Sequence, residues 1–275
     1  MLPVFDIVHA FGYRAAWACA ESFGNREAWV YSAYDLPKTT RIELIERLSK
    51  AQIGLCSSSA VYRRLDLAGA ENLEVHYPGT EILVAGPEER EIAKSRYDVG
   101  TSDLLIVGLG RLVQDRNFIE LVNAMPAVWE EIPTARLIIA GKGPEEETLR
   151  GILTDPRVQI SGFTSRRNDL LLAADLTVVP SFSTGFSMVA AESMAAGSPV
   201  MVGSEEGCIG MVDPNLSGFV FELGNLARTI IEALHSPITL DCVGRAGRVR
   251  AQDYYDIVRN GAAIRVVYEG IVGGA

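Results

Sequence analysis

The chain has 275 residues, 48% of them hydrophobic and 22% charged, which is typical of a soluble globular protein large enough for two domains. The formal net charge of -10 argues against a general nucleic-acid-binding protein, because no basic tract is present to replace the counterions of a phosphate backbone. Residues 1–20 lack the pattern of a signal peptide, and no apolar run approaches the roughly 20 residues of a membrane-spanning helix. We therefore expect a cytoplasmic protein, with peripheral membrane contact left open.

The first half alternates short apolar runs with longer amphipathic segments, which is typical of parallel strands joined by crossover helices. The pattern predicts strands at 5–9, 28–32 and 53–57 and helices over 13–23 and 42–50. The polar stretch 77–100 contains two Pro and Gly turn signals, so we place the connection between domains there. We expect an abbreviated Rossmann-like domain over residues 1–93 and a second domain over 94–275.

The second half repeats the alternation more completely and predicts a doubly wound parallel sheet of the α/β class. Strands are expected at 103–108, 135–140, 158–160, 176–179 and 199–202, and helices over 117–131, 145–153, 166–173 and 187–196. Ligands of such sheets bind at the carboxyl ends of the strands. Further helical stretches follow residue 223, and a terminal helix over 253–271 is expected to pack back on the first domain.

The cysteines Cys19, Cys56, Cys208 and Cys242 are widely spaced and form no CxxC pair. This spacing predicts neither a zinc site nor a disulfide framework. We expect reduced and mostly buried thiols.

The loop and helix after the strand at 176–179 are the most informative stretch. If the loop closes on the start of the helix, the backbone amides of Gly185, Phe186, Ser187 and Met188 and the helix dipole form an anion site suited to a diphosphate. Glu192 lies about two turns into that helix, where a carboxylate is suited to accept hydrogen bonds from ribose hydroxyls. A surface-facing Glu192 is the alternative, because the loop has no Walker or GxGxxG fingerprint.

This stretch resembles the signature of glycosyltransferase family four, in which Pro-Ser-x-x-Glu-Gly-Phe-Gly precedes Glu-Ala-Met-Ala-x-Gly-x-Pro-Val. Residues 108–117 resemble the family's Gly-Arg-Leu-x-x-x-Lys-Gly segment, and residues 136–143 its strand ending in Gly-x-Gly-Pro. With 158–162 and 175–181, the resemblance covers residues 102–222. It implies a GT-B fold and a metal-independent, retaining transfer of a sugar from a UDP-, GDP- or ADP-sugar to a hydroxyl of a glycan, lipid or small molecule, without a cofactor.

The resemblance also assigns roles to residues by their positions in the motifs. Arg111 and Arg116, the latter in place of the family's lysine, would stabilise the charge that grows on the diphosphate as the sugar leaves. Glu192 would hold the ribose, and backbone groups near Gly162 would meet the base. Thr184 stands in place of the family's first glutamate, and Tyr34 in place of a histidine of the first domain.

Two further departures are asparagine and serine where the family has glycine, at Asn117 and Ser187, and either could crowd a backbone approach. In the first domain, the segment at 5–12 resembles the family's Asp-Val-Val-His-Ala-His, with Phe11 in place of the second histidine. His9 keeps its place in that motif. A hydrogen-bonded structural histidine at a strand end is the favoured interpretation.

Roughly half of the family's usual first domain has no counterpart in the chain, and its first strand would present an unpaired sheet edge. The acceptor side would then be abbreviated, completed by a partner subunit or a second copy in a homo-oligomer, or built differently. The alternative function is therefore a non-catalytic or partner-dependent nucleotide-sugar-binding module. The replacement of the family's glutamate by Thr184 and of its histidine by Tyr34 also favours this alternative. A doubly wound domain with some other ligand is the third hypothesis.

Overall fold

A computed structural model of the protein describes residues 5–24, 28–35, 42–152, 154–181, 185–204 and 207–273. The chain divides into two compact units. Unit 1 contains Met1–Gly79, Thr184–Phe186 and Ile257–Ala275, and unit 2 contains Thr80–Ser183 and Ser187–Asp256. Each unit is built on its own parallel sheet, so the predicted α/β class with two parallel-sheet domains is confirmed.

The strands in the described part of the chain are β1 (Val8–Phe11), β2 (Trp29–Ala33), β3 (Ile53–Cys56), β4 (Leu73–Val75), β5 (Leu104–Leu109), β6 (Ala135–Ala140), β7 (Val158–Gly162), β8 (Leu176–Val179), β9 (Val200–Gly203) and β10 (Phe219–Phe221). The helices are α1 (Tyr13–Ser22), α2 (Ile42–Leu48), α3 (Ser59–Leu67), α4 (Pro87–Ser95), α5 (Phe118–Glu131), α6 (Glu146–Ile152), α7 (Arg167–Ala173), α8 (Met188–Ala195), α9 (Leu226–Leu234), α10 (Pro237–Tyr254) and α11 (Ile257–Gly273). Single 3₁₀ turns lie at Gln114–Arg116 and Ile209–Met211.

Unit 1 holds a sheet of order β1-β2-β3-β4 in which every pairing is parallel. All five residues of β2 are buried, as expected for a strand that has neighbours on both sides and helices on its faces. Helix α3 begins after Ser58, whose hydroxyl accepts a hydrogen bond from the amide of Val61 at 3.2 Å. Strand β4 was not predicted, because three residues with one exposed carry no recognisable period.

Unit 2 holds a sheet of order β10-β9-β8-β5-β6-β7, again with parallel pairings throughout. Successive strand residues face opposite cores, so Ile106 packs with α5 and α9 while Val107 packs with α4 and α7. Helices on both faces make this a doubly wound sheet. The carboxyl ends of β8, β5, β6 and β7 therefore lie side by side along one edge.

The division between the units falls after Gly79, earlier than the predicted boundary at residue 93. The reason lies in α4, whose sequence is too polar to be recognised as a core helix. Its Ala93 is buried in the same core as Leu170 of α7, and its Lys94 forms a 2.6 Å ion pair with Asp175. The helix is therefore a structural part of unit 2.

The terminal helix α11 belongs to unit 1, which contains both ends of the chain. The Tyr268 hydroxyl lies 2.5 Å from Nδ1 of His9, and Asn260 donates a hydrogen bond to the carbonyl of Tyr77 at 2.9 Å. None of the helices in the described ranges is both long and apolar enough to span a membrane. All four cysteines are unpaired, with Cys56 and Cys208 buried, Cys19 half-buried and Cys242 exposed.

Candidate functional site

Two glycine-containing loops at the carboxyl ends of β5 and β6 approach each other too closely for side chains. A Cβ atom on Gly141 would overlap the carbonyl oxygen of Gly110, and one on Gly143 would overlap that of Leu112. The amide of Leu112 donates to the carbonyl of Lys142 at 3.0 Å, and the amide of Glu145 donates to the carbonyl of Leu112 at 3.0 Å. The glycines therefore hold the two loops in a fixed, backbone-to-backbone arrangement.

A pocket of about 570 Å3 opens beside these loops, at the carboxyl ends of β5, β6 and β7. Arg111, Lys142 and Arg167 line it, together with Phe163, a residue that is 74% exposed. Gly162, with φ of +70°, turns the chain from β7 toward Phe163, and its carbonyl accepts from the amide of Gly141 at 2.8 Å. The pocket thus combines an aromatic surface with positive charge.

Glu192 of α8 is a buried carboxylate with a cation on one side. Its Oε1 lies 3.1 Å from Nη1 of Arg167, while Oε2 is buried and has no hydrogen-bond partner among the described residues. Burial raises the pKa of Glu192, and the Arg167 charge partly offsets that rise. The side chain is only 7% exposed, which excludes the surface-facing alternative. Glu192 therefore keeps a free acceptor atom in a place where an unpaired one is costly.

Arg116 lies at the end of the 3₁₀ turn that follows β5. Its guanidinium is half-buried, and Nη1 donates to the hydroxyl of Ser181 at 3.3 Å, just beyond the end of β8. The next residue, Asn117, has φ of +52°. This left-handed conformation explains the glycine of the family motif, and asparagine tolerates it better than most other residues. Asn117 thus keeps the turn that directs Arg116 toward Ser181.

The backbone amides at the start of α8 are not all free to bind an anion. The hydroxyl of Ser187 accepts from the amide of Ala190 at 3.2 Å, so Ser187 caps its own helix, and its amide donates to Sδ of Met211 at 3.2 Å. With φ of -107°, Ser187 does not need to be glycine. The first-turn amide of Met188 has no partner within the helix, as at every helix start.

The structure assigns Gly185 and Phe186 to unit 1, whereas Ser187 and Met188 belong to unit 2. A Cβ atom on Gly185 would lie 2.5 Å from Cγ2 of Val61 and 2.8 Å from the carbonyl oxygen of Tyr34. The glycine thus serves a close contact with the backbone of unit 1. Thr184, the predicted substitute for the family's glutamate, lies outside the described residues.

In unit 1, three ring systems follow one another at the carboxyl ends of β1 and β2. His9 stacks on Phe11 at 4.3 Å between centroids, and Phe11 is parallel to Tyr34 at 6.1 Å. Nε2 of His9 lies 2.8 Å from the Ser32 hydroxyl, and Nδ1 contacts Tyr268. Both ring nitrogens of His9 have partners, which agrees with a structural histidine.

Acidification is expected to destabilise the fold through His9. Burial and the nearby His76 hold the pKa of His9 below its ordinary value, so the folded state favours the neutral ring. The stability that the neutral His9 ring contributes is present above the ordinary histidine pKa near 6.5. It is lost as the pH falls through the lowered pKa of His9 in the folded state. In urea unfolding between pH 7.5 and 5, His9→Gln should therefore reduce the pH dependence of the unfolding free energy.

The matched control for this experiment is His235→Gln, which changes an exposed histidine at the end of α9 in unit 2. It shows how much of any change follows from replacing a histidine at an exposed position. Equal pH dependence of the wild type and His9→Gln would show that His9 is not the titrating group.

The amino-acid sequence between residues 103 and 238 matches the family described as glycosyl transferases group 1. Residues 103–238 therefore form a domain that is similar to the group 1 glycosyltransferases. The pocket, Arg116 and Glu192 all lie inside this domain.

Characterised relatives of the group 1 domain include two mannosyltransferases. The chain is 30% identical over 182 residues to the GDP-mannose-dependent monoacylated alpha-(1-6)-phosphatidylinositol monomannoside mannosyltransferase of Corynebacterium glutamicum, covering 61% of this chain and 48% of the relative. It is 31% identical over 209 residues to the GDP-mannose-dependent alpha-(1-6)-phosphatidylinositol monomannoside mannosyltransferase of Mycobacterium tuberculosis, covering 68% of this chain and 54% of the relative. The chain therefore spans about half the length of these relatives.

Solved structures share the fold of the whole described chain. HepE of Anabaena in complex with UDP superposes with a TM-score of 0.85 at 21% identity, covering 97% of this chain and 79% of HepE. Sucrose-phosphate synthase of Thermosynechococcus elongatus superposes with a TM-score of 0.86 at 20% identity, covering 98% of this chain and 75% of the synthase. The predicted GT-B class is confirmed by this likeness.

Arg167 and Lys142 line the pocket of the group 1 domain, and sequence reasoning had assigned neither of them. Lys142 is the variable residue of the Gly-x-Gly-Pro motif. Arg167 is the first residue of α7, where a positive charge is not favoured by the helix dipole. That mismatch was the one local signal for a role beyond helix formation.

Proposed function

We propose that the protein is a glycosyltransferase that takes a sugar from a nucleotide-diphosphate donor and transfers it to a hydroxyl acceptor, with retention and without a metal. The observation that carries the proposal is the buried Glu192, which keeps a free carboxylate oxygen within a group 1 domain, next to a cationic pocket. A carboxylate accepts hydrogen bonds and donates none, so adjacent hydroxyls of a ribose are suitable partners.

The pocket suggests how the donor is arranged. The base would lie against Phe163 near Gly162, and the ribose would bind Glu192. Arg111 would reach the diphosphate from the pocket, and Arg116 would reach it from the end of β5. The first-turn amide of Met188 and the dipole of α8 add favourable potential for an anion. Positive groups fixed before the reaction stabilise the charge that develops on the leaving diphosphate.

The relatives support a nucleotide-sugar donor without fixing the nucleotide. Two of them are named as GDP-mannose-dependent, and HepE was solved with UDP. The mannosyltransferases act on phosphatidylinositol mannosides by name, which favours a glycan or lipid acceptor here. Retention and independence of a metal rest on the resemblance to family four. We place the reaction in the cytoplasm, since all four cysteines are unpaired.

Glu192→Gln tests the donor site. Calorimetric titration with UDP, GDP and ADP should show binding of at least one of them to the wild type. The variant should bind that nucleotide roughly 10- to 100-fold more weakly, because each hydrogen bond to a charged acceptor contributes about 1.5–3 kcal/mol. The amide replaces an acceptor oxygen with a donor and removes the charge, while the side chain keeps its size.

Glu232→Gln is the matched control, since Glu232 lies on α9 with a side chain that is 63% exposed and pairs with Arg228. It should bind nucleotide like the wild type. The proposal fails if none of the three nucleotides binds the wild type. The ribose assignment fails if Glu192→Gln binds as tightly as the control.

A further inference from the structure

We propose that Arg167 positions Glu192 for the ribose, so that ribose recognition depends on the ion pair between these two side chains. The inference rests on the proposed donor function and adds a positioning residue to it. Arg167 lines the pocket and touches Glu192, so it links the aromatic, cationic part of the pocket to the buried carboxylate.

The two side chains of the ion pair differ in exposure, and this difference suits the positioning role of Arg167. The Glu192 side chain is 7% exposed, whereas that of Arg167 is 53% exposed. A buried carboxylate without a partner cation tends to take up a proton and lose its charge. The more exposed partner thus holds the more buried one in its acceptor form.

Arg167 is also the single cation that acts on Glu192 within the described part of the chain. Helix α8 packs against α7, α10, β8 and β9. Two arginines of α10 are engaged elsewhere, since Arg248 bonds the carbonyl of Ala196 and Arg250 bonds Asp213. Burial raises the pKa of Glu192, and the charge of Arg167 lowers it.

The two carboxylate oxygens then have separate tasks. Oε1 lies 3.1 Å from Nη1 of Arg167, and Oε2 has no hydrogen-bond partner among the described residues. A ribose presents two neighbouring hydroxyls, and a 2′-deoxyribose presents one fewer. Loss of Arg167 should therefore reduce both the affinity for a ribonucleotide and the preference over its 2′-deoxy form.

Arg167→Met tests this in the full-length chain, because methionine keeps the apolar part of an exposed side chain and removes the charge. The probe is UDP or GDP, whichever binds the wild type, compared with its 2′-deoxy form from pH 5 to 8. At pH 7 the variant should bind the ribonucleotide about tenfold more weakly, a change of about 1.4 kcal/mol in binding free energy. Its affinity should begin to fall at a higher pH than in the wild type, because protonation of Glu192 removes the acceptor.

Arg167→Lys should recover part of the affinity, since it restores the charge without the planar guanidinium. Arg166→Met is the matched control, because Arg166 is the exposed neighbour that precedes α7 and does not act on Glu192. A general loss of structure would affect the 2′-deoxy form equally and would not shift the pH profile.

A second measurement separates this inference from the proposed function. In the ligand-free protein, the 13C carboxyl signal of Glu192, assigned with Glu192→Gln, should titrate at a higher pH in Arg167→Met than in the wild type. An unchanged titration overturns the inference alone, as does an unchanged ribose preference. Failure of UDP, GDP and ADP to bind the wild type overturns the proposed function, and the inference falls with it.

Discussion

Arg116→Met is expected to lower kcat about 10²- to 10³-fold, the size of effect seen when one preorganised donor to a developing negative charge is removed. Arg116 is half-buried and fixed by its hydrogen bond to Ser181, so its charge is in place before the donor arrives. Initial rates of nucleotide release from UDP-glucose and GDP-mannose measure the effect. The left-handed Asn117 next to it is unchanged, so the fold should be retained.

Two further variants sharpen the Arg116 experiment. Arg116→Lys introduces the residue of the family motif and should keep most of the activity. Arg228→Met, on α9 with a side chain that is 74% exposed, is the control for loss of an arginine and should have no effect on kcat. Equal rates in Arg116→Met and the wild type would remove Arg116 from the site. Nucleotide binding without turnover in the wild type would instead favour the non-catalytic module.

Gly141→Ala is expected to lower the free energy of unfolding by about 3 kcal/mol, within the range of overpacked and strained positions. The new methyl group would overlap the carbonyl oxygen of Gly110, and neither backbone can move without breaking the hydrogen bonds that join the two loops. Urea unfolding followed by circular dichroism measures the change. Because the same loops border the pocket, nucleotide binding should weaken as well.

Gly151→Ala is the control for Gly141→Ala, because the same substitution should have no unfavourable effect on stability at this position. Gly151 lies in α6, and nothing lies within 4 Å of a Cβ atom placed on it. Alanine is favoured over glycine in a helix by about 0.8–1.0 kcal/mol, so this variant should be as stable as the wild type or more stable. If the two variants unfold at the same urea concentration, close backbone approach does not determine the role of Gly141.

Strands of the second sheet could be predicted well where an apolar run is long and bounded by polar or glycine residues. Strands β6 and β8 begin and end at the predicted residues. Strand β10 has three residues and α4 buries little more than Ala93, so neither has a pattern that sequence alone reveals. Their places are determined by tertiary packing.

The candidate site was likewise predictable from the sequence only in part. Motif spacing predicts that Arg111 and Glu192 lie near the carboxyl ends of neighbouring strands, because all strands of a doubly wound sheet end on one side. It could not predict the pairing of Glu192 with Arg167, which depends on how α7 and α8 face each other. Nor did it predict that the Ser187 hydroxyl would bind the amide of Ala190 in its own helix.

Unit 1 is built from segments that precede and follow unit 2 in the sequence, which affects the order in which its parts are synthesised. A ribosome delivers every residue of unit 2 before it delivers α11, because unit 2 ends at Asp256. The sheet of unit 1 is therefore made first, and the partner that Tyr268 provides for His9 comes last. Until α11 has been synthesised, His9 of β1 lacks its contact with the Tyr268 hydroxyl. Unit 1 can therefore be completed only after all of unit 2 has been synthesised.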